Sequence, residues 1–219
     1  RWQFDDFGNE LMNESIDVAG QLVVDDLGSG VAVVRKRYEA RGQIIEMRFF
    51  DERDKPSANM EGWFGEQIKS DLWGRSVAKI RLGPDGQPQS APDGLFEIRY
   101  KHDSRGSMVG LSRHGADGRL LADADGVAQW VFTVDQFGHR TSERRLGPVG
   151  QPVANREGLV GYDALRDDRG NVLETLYIGL DGKNTGDRSH GIARTSREVD
   201  ALSRVVRKRY FDPEGNARG

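Results

Sequence analysis

The stretch Asp103-Ser104-Arg105-Gly106 recurs 32 residues later as Asp135-Gln136-Phe137-Gly138, and this recurrence decides the fold. Glycines continue the same column at spacings of 34, 32, 32, 32 and 32 residues: Gly8, Gly42, Gly74, Gly106, Gly138 and Gly170. A period of this size is typical of repeat proteins, whose units pack on their neighbours. The sequence therefore predicts about seven repeats of 32 residues, with units that begin near Asp5, Glu39, Asp71, Asp103, Asp135, Asp167 and Asp200.

An acidic residue three positions before each of these glycines predicts a tight turn. Asp-x-x-Gly is typical of a type I turn, because the Asp side chain caps the turn and Gly accepts the left-handed backbone without steric strain. Such a turn joins two antiparallel strands with a bulge. The predicted structural turns use the pairs Asp71 and Gly74, Asp103 and Gly106, Asp135 and Gly138, and Asp167 and Gly170. Ser203 takes the place of Gly in the last repeat, so we expect an altered turn there.

The segment after a third glycine column has the alternation of a half-buried strand. This column comprises Gly30, Gly62, Gly94, Gly126, Gly158 and Gly191. Of the second, fourth and sixth residues that follow, fourteen of eighteen are apolar, against three of eighteen at the third, fifth and seventh. A period of two predicts one face on a core and one face in water, and helical spacing would mix the two sets.

A second strand follows the first glycine column, with an unexplained change of face. The third residue of this strand is apolar in most repeats, as in Leu11 and Val77. The eighth residue is also apolar in most repeats, as in Ile16 and Leu82. These positions differ in parity, so either a bulge lies between them or one end of the strand is buried on both faces. Both alternatives stay open at the level of the sequence.

Together these patterns predict an all-β fold. We expect an extended, twisted antiparallel β array, solenoid-like, in which each repeat supplies two strands joined by an irregular loop of about eight residues. Residues 1–219 are predicted to form a single tandem-repeat domain. The chain starts inside a predicted strand and stops inside a predicted loop, so we expect a fragment of a longer array.

Composition excludes several classes of function. The chain has 219 residues, 28 Gly, no Cys, 31% charged residues and a net charge of −3. The absence of Cys excludes disulfides, thiolate metal sites and Cys nucleophiles. A slightly acidic chain is not expected to be a dedicated nucleic-acid binder, and no apolar run is long enough for a transmembrane helix. No cofactor motif stands out, so we expect none.

The turn motifs resemble those of a bacterial repeat class. Phe4-Asp5-Asp6-Phe7-Gly8-Asn9, Tyr38-Glu39-Ala40-Arg41-Gly42 and Asp167-Asp168-Arg169-Gly170-Asn171 are similar to the Tyr-Asp-x-x-Gly-Arg/Asn core of YD-type (Rhs-like) repeats. Trp73-Gly74 is similar to WG-type repeats. The resemblance implies a β-rich scaffold or shell outside the cytoplasm, in the periplasm, on the cell surface or secreted. In several repeats the Tyr position holds Ser70, His102 or Arg166 instead.

Candidate chemistry is sparse along the chain. Ser112, His114 and Asp117 supply the residue types of a hydrolytic triad, but nothing in their spacing positions them as nucleophile, base and orienting acid. Acidic loops at Asp25-Asp26, at Asp123 to Asp125 and at Asp181 to Asp187 supply oxygen ligands of the kind that Ca²⁺ prefers. Turn capping explains most of these Asp residues, so we expect neither an enzyme nor a metal site.

The strongest binding candidates are cations on the solvent-facing strand positions. Arg35, Arg37, Arg99 and Lys101 share that face. Trp63 and Trp73 fall outside the alternation, at a strand start and in a turn, and are candidate exposed anchors. Arg81, Arg113 and Arg145 form a second column. Guanidinium groups bind carboxylates through two oxygens, so the predicted partner is an acidic protein segment or an anionic glycan. The predicted function is a non-catalytic repeat scaffold or binding module; the alternatives are a shell or spacer segment of a secreted toxin-like protein and, less favoured, a hydrolytic or carbohydrate-active enzyme.

Overall fold

The computed structural model describes residues 1–25 and 30–218, and within these residues the fold is all-β. The strands alternate with tight turns and are β1 (Trp2–Phe4), β2 (Glu10–Glu14), β3 (Val33–Tyr38), β4 (Ile44–Phe50), β5 (Gly65–Ser70), β6 (Ser76–Leu82), β7 (Glu97–His102), β8 (Met108–His114), β9 (Gln129–Val134), β10 (Arg140–Leu146), β11 (Gly161–Arg166), β12 (Val172–Ile178), β13 (Arg194–Val199), β14 (Val205–Phe211) and β15 (Ala217–Arg218). The predicted fold class is confirmed. In the described part of the chain, no helix has the length and apolar character needed to cross a bilayer.

The chain forms two compact units. Unit 1 comprises residues 1–100 and 113–119, and unit 2 comprises residues 101–112 and 120–219. In unit 1 each strand from β1 to β7 pairs antiparallel with the next along the chain. In unit 2 the same holds from β8 to β15. The assignment of residues 1–219 to one domain stays a prediction.

The hairpin turns have the predicted backbone. Gly74, Gly106, Gly138 and Gly170 have φ of 85°, 92°, 85° and 83°. The carboxylate of Asp135 accepts hydrogen bonds from the backbone N–H groups of Phe137 and His139 at 2.9 and 3.0 Å, which is the expected cap. The prediction of positive φ and Asp capping in these turns is confirmed.

Ser203 corrects one expectation, because its turn is not altered. Its φ is 61°, its N–H donates to the Asp200 carbonyl at 3.0 Å, and Asp200 caps Leu202 and Arg204 as in the glycine-containing turns. The hydrogen bonds of the turn therefore impose the left-handed backbone on a residue that does not favour it. Asp54, which fills the one gap in the second glycine column, behaves in the same way with φ of 62°.

We expect Ser203→Gly to raise the free energy of unfolding by about 1 kcal/mol, because it relieves left-handed strain in a residue with a Cβ. The reciprocal change Gly138→Ala should lower it by about 1–2 kcal/mol. Urea denaturation of both variants measures the two effects. A destabilised Ser203→Gly protein would show that the serine side chain, and not the turn, is important at this position.

A bulge resolves the change of face in the second strand. Lys69 pairs with Ala78 but Ser70 pairs with Ser76, so Val77 is the extra residue of the ladder. The same shift occurs in five further hairpins, where the unpaired residues are Leu11, Ile45, Thr141, Leu173 and Val206. These residues form the very column whose parity disagreed with the rest of the strand. The first of the two alternatives is therefore correct.

The connection between the two strands of a repeat is regular, which corrects the expectation of an irregular loop. In one repeat, Gly86 donates to the Gly83 carbonyl and Gly94 donates to the Ala91 carbonyl, as Gly74 does to Asp71. Gly62, Gly126 and Gly158 make the same three-residue bond in their third turns, whereas Gly191 donates to the Asp187 carbonyl four residues earlier. An isolated antiparallel β-bridge between Leu82 and Pro88 places the first part of this connection beside the end of β6, and similar bridges occur in other repeats.

The core lies next to the third turn of each repeat. Val31, Leu95, Val127 and Leu159, which directly follow the glycine of that turn, are buried. The next residue is a buried Ala in several repeats, as Ala32, Ala128 and Ala193 show. The alternation predicted for the following strand is confirmed, because Gln67, Lys69, Arg99 and Lys101 are exposed while Phe132 and Val160 are buried.

Acid should destabilise the turns. Hydrogen bonds from Asn9 and Asn171 hold the pKa of Asp5 and of Asp167 below the usual value, and the backbone N–H of Arg204 does so for the pKa of Asp200. A carboxyl whose folded pKa is depressed stabilises the fold above its unfolded pKa and loses that contribution as the pH falls through the folded pKa. The urea concentration at the midpoint of unfolding should therefore decrease when the pH is lowered below about 4. Asp167→Asn should make this decrease less steep.

Candidate protein-binding edge

The predicted strand-face cations are mostly engaged within the chain. Arg37 pairs with Glu46 at 3.0 Å and Arg99 pairs with Glu97 at 2.7 Å. Arg35 pairs with Asp54 and also lies 4.4 Å from the centroid of the Phe50 ring. Lys101 is exposed and has no ion pair within the described residues. Their binding role stays a prediction, but local pairing offsets most of the positive charge on which it depends.

Trp63 is not an exposed anchor. The residue is only 8% exposed, and the Arg81 guanidinium lies 3.7 Å from the centroid of its ring. Trp63 directly follows a third-column glycine, as Leu95 and Val127 do, so it occupies a core position. The expectation of an exposed Trp63 is therefore wrong, because the residue before the strand belongs to the core and not to the solvent-facing set.

The Arg81 column is also internal. Arg81 is 4% exposed and forms an ion pair with Glu66, its cross-strand partner. Burial lowers the pKa of Arg81. Arg113 pairs with Asp93 at 2.6 Å, and Arg145 donates to the Leu159 carbonyl at 3.2 Å. This column fastens strands to neighbouring loops and does not present a cationic surface.

The candidate triad and calcium loops gain no support from the geometry. His114 is buried, and its Nδ1 lies 3.0 Å from the Gly118 carbonyl oxygen. The Asp123 carboxylate accepts N–H groups of Asp125 and Val127, as in the other caps. Within residues 1–25 and 30–218, no three His, Asp or Glu residues cluster as metal ligands would. Asp26, part of one proposed calcium loop, lies outside the described residues.

A different surface carries the exposed apolar side chains. In the hairpin turns of unit 1, Phe7, Leu72 and Trp73 are 92%, 81% and 78% exposed. We call the three turns Asp5–Gly8, Glu39–Gly42 and Asp71–Gly74 the unit 1 turn edge. Turn geometry explains the exposure, since the two central residues of each turn project beyond the ends of the strands. Leu72 and Trp73 are adjacent in the third turn, and exposed apolar patches of this kind mark interaction sites.

Two clefts lie between successive turns of this edge. The first cleft has a volume of about 470 Å³ and apolar walls formed by Phe7, Leu11 and Tyr38. The second cleft has a volume of about 560 Å³ and apolar walls formed by Ile45, Leu72 and Trp73. Glu39, Ala40 and Arg41 line both clefts. The bulges contribute to the walls, because Leu11 and Ile45 are bulge residues.

The aromatic walls are held in place by neighbouring groups. The Tyr38 hydroxyl donates to the Glu10 carbonyl at 2.8 Å. The Arg75 guanidinium lies 4.8 Å from the centroid of the Trp73 ring and pairs with Asp71 at 2.6 Å. A fixed aromatic ring loses little conformational entropy on binding, so these walls are suited to a partner.

Glu39 and Arg41 lack the contacts that their counterparts make. Asp71 accepts the N–H groups of Trp73 and Arg75, whereas no hydrogen bond or ion pair to the Glu39 side chain occurs within the described residues. Arg105, at the turn position of Arg41, donates to the Asp135 carbonyl at 3.1 Å. Arg41 has no such contact in the part of the chain that the structure describes. Two opposite charges are thus available where the two clefts meet.

The sequence contains a signal for this edge. The residue before the turn glycine is alternately apolar and Arg along the chain: Phe7, Arg41, Trp73, Arg105, Phe137, Arg169 and Leu202. In unit 2 the Arg members fasten successive turns, because Arg105 donates to Asp135 and Arg169 to the Ala201 carbonyl at 2.7 Å. The apolar members Phe137 and Leu202 are exposed there as well.

Comparisons with known proteins give structural similarity only. No protein family model matches the chain, and no curated protein matches it. Similar solved structures include the Tc holotoxin pore of Photorhabdus luminescens, with 13% identity, a TM-score of 0.42 and coverage of 97% of this chain and 11% of that chain. Another is TcdB2–TccC3 without its hypervariable C-terminal region, with 14% identity, a TM-score of 0.38 and coverage of 93% and 11%. The chain therefore spans about a tenth of the length of the solved chains that it resembles.

Proposed function

We propose that this chain is a non-catalytic repeat scaffold that binds a protein partner through the unit 1 turn edge. The observation that carries the proposal is the exposure of Phe7, Leu72 and Trp73 beside two apolar clefts. Aromatic side chains are enriched at protein interfaces because they bury a large area with few rotatable bonds. The resemblance of the turn motifs to YD-type repeats supports a location outside the cytoplasm.

The charges of this edge favour a protein over an anionic glycan. The turns carry Asp5, Asp6, Glu39 and Asp71, against Arg41 and the paired Arg75. An anionic glycan would be repelled by the excess of carboxylates, whereas a segment with apolar and basic side chains would meet both features. The acidic partner predicted from the sequence depends on the strand-face cations, whereas the unit 1 turn edge favours a basic segment.

A shell or spacer segment of a secreted toxin-like protein is the second candidate. Contacts between successive repeats of unit 2 favour it: the Ser189 Oγ lies 2.8 Å from both carboxylate oxygens of Glu157 and donates its one proton to this carboxylate, and Arg169 donates to the Ala201 carbonyl. Such contacts suit a continuous wall. The complete gene separates the candidates, since a shell segment requires an encoded cargo domain in the same or a neighbouring reading frame.

The proposed function is tested by site-specific photo-crosslinking. A photoreactive amino acid in place of Leu72 should give one adduct of defined mass with a secreted or surface protein of the source organism. The same amino acid in place of Gln67, an exposed position on β5, is the matched control. The adduct at Leu72 should disappear when Trp73→Ala is added. Equal adducts from both positions, or none from Leu72, would contradict the proposal.

A further inference from the structure

The two clefts of the unit 1 turn edge have a spacing that selects the shape of a ligand. Each hairpin adds two strands, and neighbouring strands lie about 4.8 Å apart, so equivalent points of successive clefts lie about 9.6 Å apart. A polyproline II helix repeats every three residues with a rise of about 3.1 Å per residue, which is about 9.3 Å per turn. Its side chains i and i+3 therefore point the same way and reach successive clefts.

Other peptide conformations fit this spacing less well. In an extended strand, residues i and i+2 share a face about 6.7 Å apart, and residues i and i+3 lie on opposite faces. In an α-helix, residues i and i+7 are about 10.5 Å apart, but the helix bonds its own carbonyls and has a diameter of about 10 Å. A helix would leave the donors at the clefts, above all Arg41, without acceptors.

The walls of the clefts match the known chemistry of polyproline recognition in general terms. Polyproline segments dock in grooves lined by aromatic rings, and their low conformational entropy reduces the cost of binding. Phe7 and Tyr38 line the first cleft and Trp73 lines the second. Tyr38 and Trp73 are held by Glu10 and by Arg75, so two rings are already in place.

The free charges at the junction of the clefts complete the match. A polyproline II segment has no internal hydrogen bonds, so its carbonyls can accept from the Arg41 guanidinium. Glu39, whose side chain forms no hydrogen bond or ion pair within the described residues, can pair with a Lys or Arg of the same segment. The carboxylates of Asp5 and Asp71 already cap their turns, and Asp6 lines neither cleft, so Glu39 is the carboxylate suited to recognise a basic residue.

We propose that the unit 1 turn edge binds a proline-rich segment in the polyproline II conformation, with apolar anchors at i and i+3 and a basic residue beside them. This proposal rests on the proposed function, because it names the class of partner for the same surface. It assigns Trp73 and Tyr38 to the anchors, Arg41 to the peptide carbonyls and Glu39 to the basic side chain.

The test uses an array of fluorescein-labelled proline-rich peptides, with Pro or Leu at i and i+3 and Arg at either end, in anisotropy titrations against the whole chain. At least one peptide should bind, and Trp73→Ala should weaken its affinity by about tenfold or more. Glu39→Gln should weaken it about threefold and reduce its dependence on salt. Phe137→Ala is the matched control, since Phe137 occupies the same turn position in unit 2, and it should leave the affinity unchanged.

The outcomes separate this inference from the proposed function. Equal binding of a peptide whose non-anchor prolines are replaced by Ala would overturn the polyproline II assignment. So would the absence of binding by any peptide of the array. If Leu72 still crosslinks to a partner in that case, the proposed function stands and only the class of partner is wrong. An unchanged affinity in Trp73→Ala would overturn the assignment of the clefts.

Discussion

Replacing Glu66 by Gln is expected to lower the free energy of unfolding by about 3 kcal/mol. Glu66 and Arg81 are 7% and 4% exposed and form an ion pair across strands β5 and β6. Removing the Glu66 charge leaves the Arg81 guanidinium buried with only partial Coulombic compensation, from groups such as Glu61 and Asp93, and the desolvation penalty is the main part of the loss. The Trp63 ring, 3.7 Å from the guanidinium, reduces the penalty only in part, because a ring quadrupole is a weaker partner than a carboxylate.

Two further variants identify the cause. Glu174→Gln removes a partner of Arg194 at 3.1 Å in a pair that is about one-third exposed, and it should lower the free energy of unfolding by less than about 1 kcal/mol. The double variant Glu66→Leu with Arg81→Met should be within about 1 kcal/mol of the wild type, because buried ion pairs are often replaceable by apolar residues. A Glu66→Gln protein no less stable than Glu174→Gln would show that water reaches the pair. Urea denaturation measures all three.

The backbone of the repeat could be predicted because it depends on local chemistry. Asp at the start of a turn and Gly at its end act within four residues, so Asp103 and Gly106 suffice to predict the hairpin. At Ser203 the local pattern is insufficient, because Gly is favoured in this turn but is not required. Asp200 and the backbone hydrogen bonds hold the same turn with a strained residue.

The bulge and the position of Trp63 needed information beyond the local pattern. The alternation along the strand shows that Val77 and Leu82 cannot lie on the same face of a regular strand. Only the strand pairing shows that Val77 is the extra residue. For Trp63 the sequence contains a signal of burial. The residue after each third-column glycine is apolar in every repeat, as in Val31, Trp63, Leu95, Val127, Leu159 and Ile192, and a column of this kind indicates a core.

The candidate site was least accessible to sequence reasoning, because it lies between repeats. The turn residues Phe7 and Trp73 are visible in the sequence, but the clefts beside them form only when successive hairpins pair. Glu39 illustrates the limit of pattern matching. It occupies the Asp column, yet it makes none of the side-chain hydrogen bonds of Asp71, since one additional methylene carries the carboxylate past the turn N–H groups.

Replacing Gly161 by Ala is the second large effect that we expect. Gly161 is buried at the start of β11, opposite Arg144 of β10. A Cβ on Gly161 would overlap the Glu143 carbonyl oxygen and lie 3.2 Å from the Arg144 Cα. Both atoms belong to the backbone of the adjacent strand, so no side-chain rotation can relieve the contact, and the strands must separate.

The expected loss for Gly161→Ala is about 3 kcal/mol in the free energy of unfolding, at the upper end of the range for overpacked sites. Gly150→Ala is the matched control, because its Cβ would meet nothing within 4 Å and only its φ of 82° is unfavourable. That variant should lose about 1–2 kcal/mol. The separation of strands also predicts faster amide hydrogen exchange along the ladder between β10 and β11 in Gly161→Ala, where Arg144 pairs with Gly161 and Glu143 pairs with Tyr162. Equal losses of stability and equal amide exchange rates in the two glycine variants would contradict this explanation. They would show that position 161 does not require Gly for the close approach of the strands.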